Sequence, residues 1–232
     1  MEGEVDYIGD EQKRIAKIVT EKFRSYYLTG GTALAFYFRH RFSEDLDFFT
    51  QEYRKDDSDR IMDFVSSQTG FGFKLEHEQS DPKLVPMKIY FLELTKGNVL
   101  KMDFVQDFQK NLKEIKNRMH SVEDIYFRKI IAAVVVQQRE SITGQVIAGG
   151  RQAAKDLFDI YYLSCHYKPV SDFFLEFFSV DKAQGLIAWY RGFNQMKLKL
   201  ELLDLVEGVD PGEVRRHLDE EILRKLPDRL IG

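Results

Sequence analysis

Residues 28–50 read LTGGTALAFYFRHRFSEDLDFFT, and the order of features in this stretch decides how the chain folds around it. Tyr26-Tyr27-Leu28 has the composition of a short strand, and Gly30-Gly31 ends it. Two adjacent glycines let the backbone turn tightly and let a ligand approach it closely. Thr32–Phe38 (TALAFYF) reads as a helix that starts at the turn. Its free N–H groups and positive dipole end suit a phosphate. Fourteen residues after Gly31 comes Asp45-Leu46-Asp47. On a strand, residues i and i+2 share one face, so both carboxylates point one way while Leu46 and Phe48 point into the core.

Two carboxylates on one face repel unless a cation lies between them. A hard divalent ion such as Mg²⁺ resolves the repulsion and also grips phosphates. A third carboxylate, Asp103, occurs in the strand-like KMDFV of residues 101–105. Were that strand beside the one carrying Asp45 and Asp47, the three would form a two-metal site. Such a site activates an attacking hydroxyl and stabilises a pyrophosphate leaving group. A lone Asp-x-Asp is usually a solvated strand face and a lone Gly-Gly usually a turn; it is their order and spacing that point to chemistry.

Working outward, Glu11–Arg24 carries Ile15, Ile18, Val19 and Phe23 at helical spacing, with Asp10 at the N-cap position. Leu46–Phe49 reads as a strand and Asp59–Ser67 as a helix. Phe73–Glu78, Met87–Leu94 and Val99–Val105 read as strands, the last two joined by a hairpin turn at Lys96-Gly97-Asn98. Ser121 and Asp124 form a capping box that opens a long helix to about Gln138. A further helix covers Arg151–Cys165, and residues 170–226 show helical periodicity broken at Pro169, Gly185, Gly208 and Pro211. The expected class is α+β: a mixed sheet with flanking helices over residues 1–120, then a helical domain over 121–232 that contributes to the active-site cleft. DFFLEFF at 172–178 reads as core rather than a base-stacking platform, with a partner interface as the second reading.

Composition narrows the function classes. With 44% hydrophobic residues, 19 Phe and 11 Tyr, the chain is globular rather than disordered. A net charge of −4 argues against non-specific grip on a nucleic-acid backbone, though a local basic groove is compatible with it. Cys165 is the sole cysteine, which excludes an internal disulfide and fits a reducing, cytoplasmic compartment. The acidic MEGEVDYIGDEQ is no signal peptide, and the longest apolar run, Ile130–Val136, is far short of a membrane span. The histidines at 40, 77, 120, 166 and 217 lack zinc-ligand spacing, and His40 reads as a surface residue.

Glycine pair, short helix and Asp-x-Asp on a strand together resemble the DNA polymerase β-type nucleotidyltransferase superfamily. The fuller string Gly30-Gly31-Thr32-Ala33-Leu34, His40-Arg41, Ser43 and Asp45-Leu46-Asp47-Phe48-Phe49 resembles its AbiEii-type branch, the nucleotidyltransferase toxins of abortive-infection and toxin–antitoxin systems. Lys129, with Arg139 ten residues on, sits where that branch carries a helical lysine. Lys155-Asp156-Leu157-Phe158-Asp159-Ile160 resembles its closing Lys-Asp-x-x-Asp-Leu motif. The likeness runs from Tyr26 to Leu163, and the tail beyond Ser164 matches no motif of the branch.

The resemblance implies a nucleotidyltransferase-type sheet and a set of roles. Gly30, Gly31, Thr32, Arg41 and Ser43 would contact a nucleoside triphosphate, Arg41 bridging to Glu44 being the alternative. Asp45, Asp47 and Asp103 would bind Mg²⁺, Asp103 also serving as general base. Lys129 would neutralise phosphate charge, and Asp156 or Asp159 would position either Lys129 or the acceptor; as plain helix residues the two would instead pair with Lys155 or Arg151. The implied reaction moves a nucleoside monophosphate from an NTP to a hydroxyl on a tRNA 3′ end or a protein, in a toxin restrained by a cognate antitoxin. A small-molecule acceptor of the antibiotic-modifying type, or a non-catalytic nucleotide-binding module, are the alternatives.

Overall fold

The computed structural model describes residues 9–231 other than 80, 82, 135–136, 141–145 and 150–151; at 96, 137–140, 146–149 and 231 it describes the backbone alone. The structure is mixed α/β. Contacts divide the chain into two compact units, residues 1–125 and 126–232.

The first unit is built on a five-stranded mixed sheet of order β1-β2-β5-β4-β3, with β1 (Tyr27–Thr29), β2 (Asp45–Thr50), β3 (Phe73–Glu78), β4 (Met87–Glu93) and β5 (Val99–Gln106). β2 and β5 are parallel, and the other neighbouring pairs are antiparallel. In β2 burial alternates residue by residue, with Leu46, Phe48 and Thr50 inside. The in-register partners of Leu46 and Phe48 on β5 are Met102 and Phe104, also fully buried. Phe104 is the hub of this face: it stacks on Phe48 at 5.5 Å and receives the ring edges of Tyr26 and Tyr90 at 5.8 Å each.

Helices α1 (Asp10–Lys22) and α3 (Asp57–Thr69) contribute Ile15 and Val19, and Ile61, Met62 and Val65, to the buried core. Asp59 of α3 accepts hydrogen bonds from buried Lys88 and from the Tyr90 hydroxyl on β4, each at 2.5 Å, and so ties helix to sheet with polar atoms. The cap of α1 falls at Gly9, whose N–H donates to the Gln12 side chain at 2.9 Å. Asp10, expected at the cap, lies in the first turn, where its charge still complements the dipole. Lys96-Gly97-Asn98, expected as a hairpin turn, is passed as a 3₁₀ turn at Thr95–Gly97 with Gly97 at φ 77°.

Helix α4 spans Val122–Val134. The Ser121 hydroxyl accepts the Asp124 N–H at 3.0 Å, as the capping box requires. The Asp124 carboxylate also accepts the N–H groups of Leu112 and Lys113 and the Ser121 hydroxyl, pinning the preceding loop. The helix expected to reach Gln138 ends at Val134. Residues 137–140 (β6, Gln137–Glu140) instead pair antiparallel with β7 (Val146–Gly149). Periodicity along one segment does not report pairing with another, and it is the pairing with β7 that takes residues 137–140 out of the helix; residues 135–136 lie outside the described residues.

The second unit continues through α5 (Ala154–His166), α6 (Val170–Phe177), α7 (Ala183–Arg191), α8 (Gln195–Leu205), α9 (Pro211–Leu218) and α10 (Leu226–Ile231). Pro211 opens α9 behind Asp210, whose side chain accepts the Gly212 N–H at 2.8 Å, and Gly208, at φ 74°, turns the chain between α8 and α9. Gly185 does not break a helix; it lies inside α7, where a Cβ would come within 3.1 Å of the Val134 carbonyl. The glycine is there for close approach. The stretch at 172–178 is core: Phe173 and Phe174 are fully buried, and Phe173 stacks on Tyr126 at 4.2 Å. Among the described residues, no helix is long and apolar enough to cross a membrane.

Because Phe104 stacks on Phe48 and makes edge contacts with Tyr26 and Tyr90, Phe104→Ala is expected to destabilise folding by about 3–5 kcal/mol. Urea unfolding followed by tryptophan-independent far-UV dichroism measures it, and a loss below about 1 kcal/mol would contradict this packing assignment.

Candidate active site

The register of β2 against β5 builds the site. Asp45 is paired with Lys101 and Asp47 with Asp103. Paired residues on adjacent strands share a face and lie about 4.8 Å apart across the sheet, and i and i+2 on a strand share a face too. Asp45, Asp47, Lys101 and Asp103 therefore occupy one side of the sheet, opposite the Phe48–Phe104 core. β1 adds Thr29, paired with Asp47.

Thr29 is also the N-cap of α2 (Gly30–Phe38), so the turn and the carboxylates are neighbours by construction. Gly30 has φ 70°, a conformation that disfavours side chains, and a Cβ there would collide with Asp47 Oδ2. A Cβ on Gly31 would collide with Arg41 Nη2 and lie 3.4 Å from Ser43 Oγ. Side chains that carry the site's charge thus pack directly against both glycines, and the positive φ of Gly30 adds a backbone reason for glycine there. The strand, turn and helix N-terminus present backbone N–H groups beside carboxylates on one side and a guanidinium on the other.

Thr32 is fully buried, and its hydroxyl is used inside the fold: it donates to the Asp45 carbonyl and lies 2.7 Å from Ser43 Oγ. With Thr32's one hydrogen engaged by Asp45, Ser43 is the donor of that second bond. Gln12, buried on α1, donates to the Ser43 carbonyl at 2.9 Å. Arg41 is buried and donates to the Phe42 carbonyl at 2.9 Å. His40, read from the sequence as a surface residue, is buried instead, because Arg39 in the left-handed region (φ 52°) ends α2 and folds the chain inward.

Behind the turn lies a polar network that the sequence did not announce. His120 is fully buried, with Nδ1 2.7 Å from Thr29 Oγ1 and Nε2 3.2 Å from Asn111 Oδ1. Asp107 lies 3.5 Å from His120 Nε2 and accepts the Tyr27 hydroxyl at 2.8 Å. The His120 N–H donates to the Leu28 carbonyl at 3.0 Å. These bonds hold β1 and its terminal Thr29 from behind, which fixes where Gly30 and Gly31 begin.

Lys101 is a further residue not singled out in the sequence, although its place two before Asp103 on a strand was a usable signal. Its ammonium donates to Asp103 Oδ2 at 2.6 Å. Burial works against the charged amine, but the hydrogen bond to Asp103 and the charges of Asp103, Asp45 and Asp47 outweigh it and raise its pKa above the usual lysine value. Among the described residues no three His, Cys, Asp or Glu side chains already converge as a cation cage. The donor set nonetheless fits a hard divalent ion: three carboxylates share one face, and their field already holds a cation, the Lys101 ammonium.

In the second unit, Lys129 of α4 meets Asp156 and Asp159 of α5. Its ammonium is 2.7 Å from Asp156 Oδ1 and 2.7 Å from Asp159 Oδ2. All three side chains are at least nine-tenths buried. Residues three apart on α5 share a face, and both carboxylates grip the same amine. The sequence left open whether Asp156 or Asp159 engages Lys129; both do. The side chain of Arg139 and all of Arg151 lie outside the described residues. Lys129→Met strips two buried carboxylates of this counter-charge and is expected to cost about 3–5 kcal/mol of stability. Chemical denaturation checks it, and a loss under about 1 kcal/mol would contradict a buried triad.

Comparison with known proteins agrees with this architecture. Residues 18–228 match the family described as Nucleotidyl transferase AbiEii toxin, Type IV TA system. No curated protein sequence matches the chain. Among solved structures, JHP933 from Helicobacter pylori is similar at 23% identity and TM-score 0.54, covering 94% of this chain and 91% of that one. MenT4, a nucleotidyltransferase toxin from Mycobacterium tuberculosis H37Rv, is similar at 13% identity and TM-score 0.53, covering 94% of this chain and 82% of that one. At such identities these two likenesses speak for the fold, while the family match spans nearly the whole chain. The chain belongs to the AbiEii nucleotidyltransferase toxin family of type IV toxin–antitoxin systems.

Proposed function

We propose that the protein transfers a nucleoside monophosphate from an NTP to a hydroxyl acceptor, with divalent cations, Mg²⁺ in the cell, held by Asp45, Asp47 and Asp103. The observation that carries this reading is the pairing of Asp47 with Asp103 on one sheet face, next to a glycine turn that α2 opens. Bound divalent cations would supply Lewis-acid activation of the acceptor hydroxyl and neutralise the pyrophosphate as it leaves.

The chain's own groups supply the rest. N–H groups at the start of α2 bind the phosphates, and the absent side chains of Gly30 and Gly31 keep that approach open. Arg41, which the Gly31 turn touches, adds fixed positive charge there. Ser43, its hydroxyl held by Thr32, fixes the loop that leads into β2. In this reading Asp103 takes the proton of the attacking hydroxyl. Within the second unit Lys129 is read as the lysine that answers phosphate charge, its ammonium fixed by Asp156 and Asp159. The acceptor is a tRNA 3′ end or a protein hydroxyl, and a cognate antitoxin restrains the activity in the cell, a cytoplasmic protein being the setting in which both acceptors are met.

The test is label transfer from each of four α-labelled NTPs to total tRNA or to cell protein, with Mg²⁺. Transfer is expected, chelator is expected to abolish it, and Asp45→Asn or Asp47→Asn is expected to lower it by about 100-fold or more. No transfer from any NTP, or full activity in Asp45→Asn, would overturn the reading. Label recovered only on small molecules would keep the chemistry and replace the acceptor.

A further inference from the structure

Asp45, Asp47 and Asp103 put three negative charges on one patch of sheet, and the fourth position of that patch is a lysine. Lys101 is opposite Asp45 across the β2–β5 pairing and two residues from Asp103 along β5. Its side chain is one-third exposed, so the ammonium has water available, yet it lies 2.6 Å from Asp103 Oδ2. A lysine of that length could have reached solvent. It is held instead against one carboxylate of the trio.

An ammonium and a divalent ion at the same carboxylate repel each other, even in a water-like medium. Lys101, which already engages Asp103 Oδ2, would therefore compete with an arriving divalent cation for the charge of Asp103. We propose that Lys101 is the built-in counter-cation of this carboxylate trio, positioning Asp103 while no metal is bound and releasing it when a divalent cation enters. The inference rests on the metal-binding reading given above. It makes Lys101 a positioning residue with two consequences: without metal it relieves carboxylate repulsion, and with metal it lowers affinity by competing. A salt bridge with a purely structural role has only the first.

The experiment is a Mn²⁺ titration of the full chain, read from the free-ion paramagnetic resonance signal, on wild type, Lys101→Met, Lys101→Arg and Asp45→Asn. Melting temperature in chelator is measured in parallel. Lys101→Met is expected to bind Mn²⁺ about tenfold more tightly than wild type, because one opposing charge is gone. Its melting temperature in chelator is expected to fall, and the rise on adding Mn²⁺ to exceed that of wild type. Lys101→Arg keeps the charge and is expected to bind close to wild type. Lys101→Gln takes the place of Lys101→Met if that variant does not fold. Equal or weaker Mn²⁺ binding in the neutral variant overturns the inference and leaves the metal site standing, provided wild type binds and Asp45→Asn does not. Absence of Mn²⁺ binding in wild type overturns both.

Discussion

Parallel pairing of β2 with β5 is the constraint on which the rest depends. It is the sole parallel pair in the five-stranded sheet, and its register sets Asp47 beside Asp103. The same register stacks Phe48 on Phe104 behind them, so the hydrophobic core and the charged face are locked by one alignment. A slip of one residue would exchange the two faces, sending aromatic rings to water and carboxylates to the core. Burial of Leu46, Phe48, Met102 and Phe104 therefore stabilises the geometry on which the acidic patch relies. Core packing and site placement are two sides of one strand pair.

Polar groups refine what the core fixes. Thr32, Ser43 and Gln12 join α2, the loop before β2 and α1 through hydroxyl and amide bonds, while His120 and Asp107 secure the end of β1 from beneath. Each of these side chains is buried, and each finds partners, which is the condition for polar atoms in an interior to stabilise rather than destabilise. A site that must bind a highly charged substrate needs such rigidity, because electrostatic stabilisation is strongest when the dipoles do not have to reorganise. The Lys129–Asp156–Asp159 triad applies the same logic in the helical unit, where two carboxylates fix one ammonium.

Much of this was legible in the sequence where the determining spacing is short. Asp45 and Asp47 share a face because they are i and i+2, and the glycine pair announces a turn because few other residues tolerate it. The partnership of Asp103 was legible only as an expectation, since it depends on which strands pair, and β2 and β5 are brought together by residues far apart in the chain. The His120 network was out of reach for the same reason: the Tyr27–Asp107 and Thr29–His120 bonds that tie it to β1 span 80 and 91 residues. Local pattern also misled. Hydrophobic periodicity carried α4 to Gln138, although residues 137–140 pair with β7, and Gly185 was read as a break when it is a point of helix contact. Lys101 was legible in principle. A strand that alternates lysine, core residue, carboxylate puts the amine beside the acid.

Asp45, Asp47 and Asp103 on β2 and β5 are proposed to share a divalent cation beside the Gly30–Gly31 turn. Anomalous diffraction from crystals grown with Mn²⁺ and a non-hydrolysable NTP analogue tests that directly. The expected result is manganese density coordinated by Asp45, Asp47 and Asp103, with phosphate oxygens at the first N–H groups of α2 and the Lys101 ammonium withdrawn from Asp103. Manganese bound elsewhere, or a triphosphate seated away from the glycine turn with Asp103 turned from the metal, would contradict it.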